Sequence, residues 1–245
     1  MSEAEPLPPT QALYRDNPYL KACAARITAL SPEGVSLDRT VFYAQGGGQP
    51  GDQGVLRLED GTVLNVLDTK RGGPADDAIL HVLAPSETAL RPGLMVDAAI
   101  DWPLRHRRMR IHTALHLISA LVPGKITGAQ VGDGKGRVDF DLQGQALDKA
   151  DLEARLNALV AEDRPVTARW IDEAELDANP DLCRSLSVQP PRGQGRVRLI
   201  AIDGTDLQAC GGTHVAGTGE IGAVRVSKIE SKGKQNRRVS IELMD

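Results

Sequence analysis

Four residues in this chain have the types and spacing to hold a metal ion. His112 and His116 lie in Ile111-His112-Thr113-Ala114-Leu115-His116-Leu117, and Cys210 and His214 lie in Cys210-Gly211-Gly212-Thr213-His214. Histidines at i and i+4 of a helix project both imidazoles from one face, as a bidentate clamp requires. Two ligands leave an ion undercoordinated, and the Cys/His pair offers the missing half. Three imidazole nitrogens and one thiolate suit tetrahedral Zn2+ rather than calcium or magnesium, which take oxygen. A metallopeptidase helix would read His-Glu-x-x-His with the Glu as general base, but here Thr113 follows His112. A nucleic-acid deaminase needs a Glu near its first ligand and a Pro-Cys-x-x-Cys pair, and neither is present. Compact zinc fingers keep their half-sites within roughly a dozen or two residues, far closer than these. The metal therefore belongs inside a folded domain. Four protein ligands would close the site, and three plus a water would leave it open for catalysis; the spacing is compatible with both.

The elements that must position these ligands can be read from pattern. Asp101-Trp102-Pro103 opens a helix, with Pro103 tolerated in the first turn, and Pro123-Gly124 stops it after about Val122. Ala114, Leu115, Ile118, Leu121 and Val122 mark its buried stripe, with the two histidines at one edge. Residues 127–136 are glycine-rich and read as a loop or irregular edge, after which residues 137–142 alternate as a strand. Asp148 is placed to cap a second helix whose Leu152, Leu156, Leu159 and Val160 form a stripe. Strands follow at 166–171, 197–202, 223–230 and 238–243, the last two as a hairpin with a basic tip at 231–236. The first hundred residues are β-rich: residues 62–67 and 78–83 are short apolar runs bounded by Gly, Pro and Asp. Between Phe42 and Asp52, Gly46-Gly47-Gly48-Gln49-Pro50-Gly51 is a loop with unusual backbone angles. It is either a tight turn or a backbone that must approach another molecule closely. The expected fold is α+β: a β-rich, barrel-like domain over residues 1–100, then an α+β metal-bearing domain over residues 101–245.

Composition bounds the rest. At 245 residues the chain can bury a real core, as one large or two modest domains. Its apolar stretches fall short of a membrane span, and Met1-Ser2-Glu3-Ala4-Glu5 lacks the order of a signal peptide. Three cysteines without an export signal argue against a disulfide framework and for reduced thiols in the cytoplasm, with Cys23 and Cys183 idle. A net charge of −4 argues against indiscriminate nucleic-acid binding. Two local basic stretches, Arg105-His106-Arg107-Arg108-Met109-Arg110 and Lys228 to Arg238, are either solvated faces or the place where a polyanion docks.

His-x-x-x-His with Cys-Gly-Gly-Thr-His resembles the editing domain of alanyl-tRNA synthetase and its free-standing relatives, the AlaX proteins. The loop Gly46-Gly47-Gly48-Gln49-Pro50-Gly51-Asp52 is similar to that of the longer AlaX class, and Arg137-Val138-Asp139-Phe140 and Arg237-Arg238 fall in the expected order. What the resemblance implies is a stand-alone, zinc-dependent hydrolase of mischarged tRNA(Ala), chiefly Ser-tRNA(Ala) and secondarily Gly-tRNA(Ala). It implies His112, His116, Cys210 and His214 as Zn2+ ligands, and Thr127 and Gln130 as the polar residues that read the wrong amino acid. For tRNA contact it favours Gly46, Gly47, Gly48 and Gln49 together with Arg105, Arg107, Arg108, Lys232, Lys234, Arg237 and Arg238. Two alternatives stay open: an editor of another charged tRNA such as Ser-tRNA(Thr), and a non-catalytic RNA-binding protein whose zinc is structural.

Overall fold

A computed structural model of the chain describes residues 9–72, 78–186, 190 and 195–245. It divides into two compact units. One runs to Gly46 and from Pro50 to Arg105; the other comprises His106–Asp245 together with Gly47–Gln49, a three-residue piece of the glycine-rich loop.

The first unit contains β1 (Gln11–Ala12), β2 (Ala22–Ser31), β3 (Gly34–Leu37), β4 (Arg39–Thr40), β5 (Gly54–Leu58), β6 (Val63–Arg71), β7 (Ile79–Leu83) and β8 (Met95–Ile100). Six of these close into a barrel in the order β2-β3-β7-β6-β5-β8, every neighbour antiparallel. The sequence dictates this by period-two alternation: in β6, Leu64 and Val66 point inward while Val63, Asn65 and Leu67 face out. Ile27, Leu37, Phe42, Leu56, Val96 and Ala98 fill the interior with them. Gly34 is required where β3 meets β7, because a Cβ there would stand 1.9 Å from the carbonyl oxygen of His81. The barrel-like N-terminal domain expected from the sequence is thus a closed barrel.

The second unit begins within α1 (Trp102–Leu121), from His106 onward. Asp101 starts this helix by accepting from Leu104 N–H at 3.1 Å. The expected single stripe understates it, because every residue from Ile111 to Ser119 is buried, so this stretch of helix is enclosed on all sides. Next come β9 (Lys125–Val131), β10 (Lys135–Asp141), α2 (Lys149–Ala161), β11 (Val166–Asp172), α3 (Glu173–Ala178), β12 (Arg196–Ile202), β13 (Asp206–Ala209), β14 (Val224–Lys232) and β15 (Asn236–Leu243). One sheet has the order β14-β15-β10-β9 and a second the order β11-β12-β13, both antiparallel. Asp148 caps α2, and Leu152, Leu156 and Val160 are its buried face. Of the glycine-rich segment expected as a loop or irregular edge, residues 132–134 are a turn and residues 127–131 lie in β9, the edge strand of its sheet. Its residues pair with β10 from Lys125 to Val131, around a bulge near Asp139. Glycine lowers strand propensity, but ladder pairing along a neighbour overrides it. Among the described residues no helix is long and apolar enough to cross a membrane.

Candidate metal centre

His112 and His116 leave α1 one turn apart, with ring centroids 5.3 Å from each other. The β12–β13 hairpin delivers the other half, since Cys210 directly follows β13. Arg198 on β12 fixes the next few residues by donating to the carbonyls of Cys210 and Gly212 at 3.2 and 2.8 Å. The result is a cluster of His112, His116, Cys210 and His214 whose ligand atoms all lie within 4.8 Å of one another. The Cys210 Sγ stands 3.5 Å from His112 Nε2 and 3.4 Å from His214 Nε2. The three histidines are buried and Cys210 is partly so.

Each imidazole is held from behind. His116 Nδ1 faces the Asp206 carboxylate at 2.9 Å, and Gln208 donates to the same oxygen. His214 Nδ1 lies 3.1 Å from Thr113 Oγ1. That hydroxyl already spends its hydrogen on the Met109 carbonyl and accepts from Val215 N–H, so His214 must be the donor in this pair. His112 Nδ1 meets Gln49 Oε1 at 2.9 Å. With every Nδ1 occupied outward, every Nε2 is left for the centre, the outer-shell arrangement that metal-bound histidines require. Thr113, in the place where a peptidase keeps its general base, serves here to orient a ligand.

The electrostatics agree. Burial opposes charge on His116, but the Asp206 hydrogen bond and the nearby Cys210 sulfur outweigh it and raise its pKa to about 9. Burial would push the Cys210 thiol up, yet the charges of His112 and His214 hold it well below its usual value. Burial and the neighbouring His112 and His116 keep His214 well below the ordinary imidazole range. A thiolate among imidazoles is a ready-made cation site, and the donor set fits a four-coordinate metal ion.

Two family models match the chain: class II (A) tRNA synthetases over residues 13–104, and the threonyl and alanyl tRNA synthetase second additional domain over residues 197–240. The alanyl-tRNA editing protein AlaX-M of Methanosarcina acetivorans is 36% identical over 244 residues, covering 96% of this chain and 100% of that protein. The chain belongs to the AlaX-M family. The AlaX-M protein of Methanosarcina barkeri is 37% identical over 245 residues. The alanine–tRNA ligase of Sulfurisphaera tokodaii is 32% identical over 93% of this chain, which spans 25% of the ligase.

Relative to this cluster, the other sequence-predicted residues fall in different places. Thr127 and Gln130 sit on β9. Thr127 Oγ1 donates to the Asp139 carbonyl at 3.2 Å, and Gln130, exposed, accepts from Arg137 at 3.2 Å. Gln130 also lines a hollow of about 230 Å³ with Lys135, Arg137, Ser227, Ser240 and Glu242. Lys232 and Lys234 are exposed at the hairpin tip. Arg237 and Arg238 are consecutive in β15 and so point to opposite faces. Arg238 is clamped by both Asp139 oxygens at 2.6 and 2.7 Å, and Arg237 donates to the Gly144 carbonyl at 2.9 Å.

Three residues expected at a tRNA surface are corrected. Arg105 has no exposed side-chain surface: it pairs with Asp52 and donates to the Pro18 and Val41 carbonyls, so it is an internal fastener. Arg108 is buried against Asp133 at 2.8 Å. Gln49 is 1% exposed and faces the metal cluster. Only Arg107 of that run keeps a broadly exposed guanidinium, 2.9 Å from Asp245. The residues missed altogether, Asp206, Gln208 and Thr113, carry no spacing signal, apart from the four-residue step from Asp206 to Cys210.

Proposed function

We propose that this chain is a zinc-dependent aminoacyl-tRNA deacylase that works in trans on mischarged tRNA(Ala). Its chief substrate is Ser-tRNA(Ala), with Gly-tRNA(Ala) secondary. The chain is an editing hydrolase by its family, and the observation that carries the finer reading is the pre-oriented cluster of three Nε2 atoms and one sulfur. Zinc fits because bonds of about 2.0–2.3 Å at tetrahedral angles space sulfur and nitrogen about 3.6 Å apart. The observed 3.5 and 3.4 Å match that spacing. When bound, zinc supplies positive charge and a fixed frame beside the aminoacyl ester. The protein's own residues do the selecting. Thr127 and Gln130 hydrogen-bond the seryl hydroxyl, and alanine's methyl leaves those groups unmatched, which is how a polar pocket spares the correct product. Gly46, Gly47 and Gly48 offer backbone that the acceptor end can approach, with open space where a Gly47 side chain would be. Lys232, Lys234 and Arg107 contact phosphates, and Arg237 and Arg238 shape the same hairpin. The compartment of this reading is a reducing cytoplasm, where Cys210 is kept available as the thiolate a metal takes.

The test is release of labelled serine from Ser-tRNA(Ala), beside Ala-tRNA(Ala), with metal-loaded and chelator-treated protein. Metal-dependent loss of serine with alanine spared is expected. Equal rates with and without metal would remove zinc from the reading, and faster release from Ser-tRNA(Thr) would move the substrate.

A further inference from the structure

Gln49 is the residue whose position the functional reading does not use. It lies in the short piece Gly47–Gln49 that groups with the second unit although its sequence neighbours do not. Both polar atoms of its amide are engaged. Oε1 accepts from Thr213 N–H at 3.1 Å and faces His112 Nδ1 at 2.9 Å, while Nε2 donates to Thr213 Oγ1 at 2.8 Å. The main-chain N–H can only donate, so the atom facing it must be the amide oxygen. The same oxygen faces His112, so His112 Nδ1 must carry the hydrogen and Nε2 the lone pair. One side chain therefore fixes the tautomer of a helix ligand and the register of the Cys210–His214 loop. The packing leaves no slack: a Cβ on Gly212 would stand 2.2 Å from His112 Cε1 and 2.9 Å from Gln49 Oε1. Gly48 seats the glutamine against β9. Its carbonyl accepts from Val131 N–H at 2.8 Å, its φ is +81°, and a Cβ would fall 2.5 Å from the Ala129 oxygen.

We propose that Gln49 is a positioning residue of the metal centre, through which metal occupancy and the ordering of Gly47–Gln49 are linked. The proposal rests on the reading that the four-residue cluster holds a metal ion. The linkage is reciprocal: whatever Gln49 adds to metal affinity, the metal adds to the order of the loop. A glycine-rich segment that offers backbone on one side is thus set, on the other, by the state of the metal centre.

The experiment uses the full chain, Zn2+ in chelator competition, and Co2+ as a spectroscopic probe. Gln49→Leu keeps the bulk but strands His112 Nδ1–H and Thr213 N–H; it is expected to weaken Zn2+ affinity about 10- to 100-fold and to change the tetrahedral Co2+ absorption. Gln49→Glu retains an acceptor for both donors and is expected to restore affinity and spectrum. In the parent protein, hydrogen exchange of the Gly48 and Gln49 amides is expected to slow on Zn2+ addition. Parental affinity and spectrum in Gln49→Leu would overturn the proposal. If that variant does not fold, exchange in the parent decides: equal rates with and without Zn2+ overturn the linkage. A parent that binds no metal would instead overturn the metal reading itself, a separate failure.

Discussion

Two buried histidines in this molecule face opposite ways electrically. His81, inside the barrel, lies 2.8 Å from Thr40 Oγ1 and 3.3 Å from the Val35 carbonyl. Burial pulls its pKa down to about 4, against a smaller opposing effect of the Val35 hydrogen bond. His116, on α1, is as deeply buried, yet Asp206 and the Cys210 sulfur overcome the burial and raise it to about 9. Both are satisfied in hydrogen-bonding terms, and a lone histidine on an apolar strand is commonly no more than that. The difference is the sign of the partners. Neutral partners, a carbonyl that accepts and a hydroxyl that donates, accompany a histidine that packs, whereas a carboxylate and a sulfur mark a place built to receive a cation.

The most severe way to break this contrast is Cys210→Ala. It removes one of four donors, roughly a quarter of the ~10–16 kcal/mol that such zinc sites supply, so affinity should fall on the order of 10²- to 10³-fold. Chelator competition measures this, and deacylation should fall in parallel. Full activity in a metal-free Cys210→Ala protein would detach the cluster from the chemistry.

The pH dependence of stability sharpens the contrast next. An unfolded histidine takes up a proton below about 6.5, but folded His81 resists until about 4. Its contribution is therefore present above pH 6.5 and lost as pH falls towards 4, by about 3 kcal/mol in all. Urea unfolding across that window should show the slope in the parent and not in His81→Leu. His116 in metal-free protein has the reverse sign: its folded pKa is raised, so its contribution is full below about 6.5 and lost as pH rises through about 9. Added Zn2+ should compete with that proton for His116 and abolish the alkaline slope. Asp206→Asn, keeping shape but not charge, should cost about 10- to 100-fold in metal affinity and flatten the same slope.

The smallest effect is expected at the exposed tip. Lys234→Ala should leave zinc binding intact and weaken tRNA only a few-fold, lowering the salt dependence by just under one unit in the log–log slope. An unchanged slope would place the tip outside the interface.

Elements with a local pattern were legible in the sequence: two of the six barrel strands, β6 and β7, as short apolar runs, α2 with its Asp148 cap, and the terminal hairpin. So was the cluster that could hold a metal, because His-x-x-x-His and Cys-x-x-x-His are local spacings. Partners distant in sequence were not. Arg105 and Arg108 look like any basic run on a helix until Asp52 and Asp133 are placed against them, since charge says nothing of burial without its counter-ion. Gln49 is hidden for the same reason: among glycines it reads as a loop polar, and its partners Thr213 and His112 are far along the chain. Residues 127–131 read equally as a loop or an irregular edge, because edge strand β9 owes its form to β10 beside it rather than to its own glycine-rich composition.

The Gly-Gly step inside Cys210-Gly211-Gly212-Thr213-His214 divides freedom unequally between neighbours. A Cβ on Gly211 meets nothing within 4 Å, whereas one on Gly212 would overlap the His112 ring. In a library that samples every residue at both positions, Gly211 should accept small and even charged side chains at little expense. Gly212 should return glycine alone. Descendants of this sequence could drift at the first glycine and still keep the ring of His112 where it is, but at the second they have no neighbouring sequence to move to.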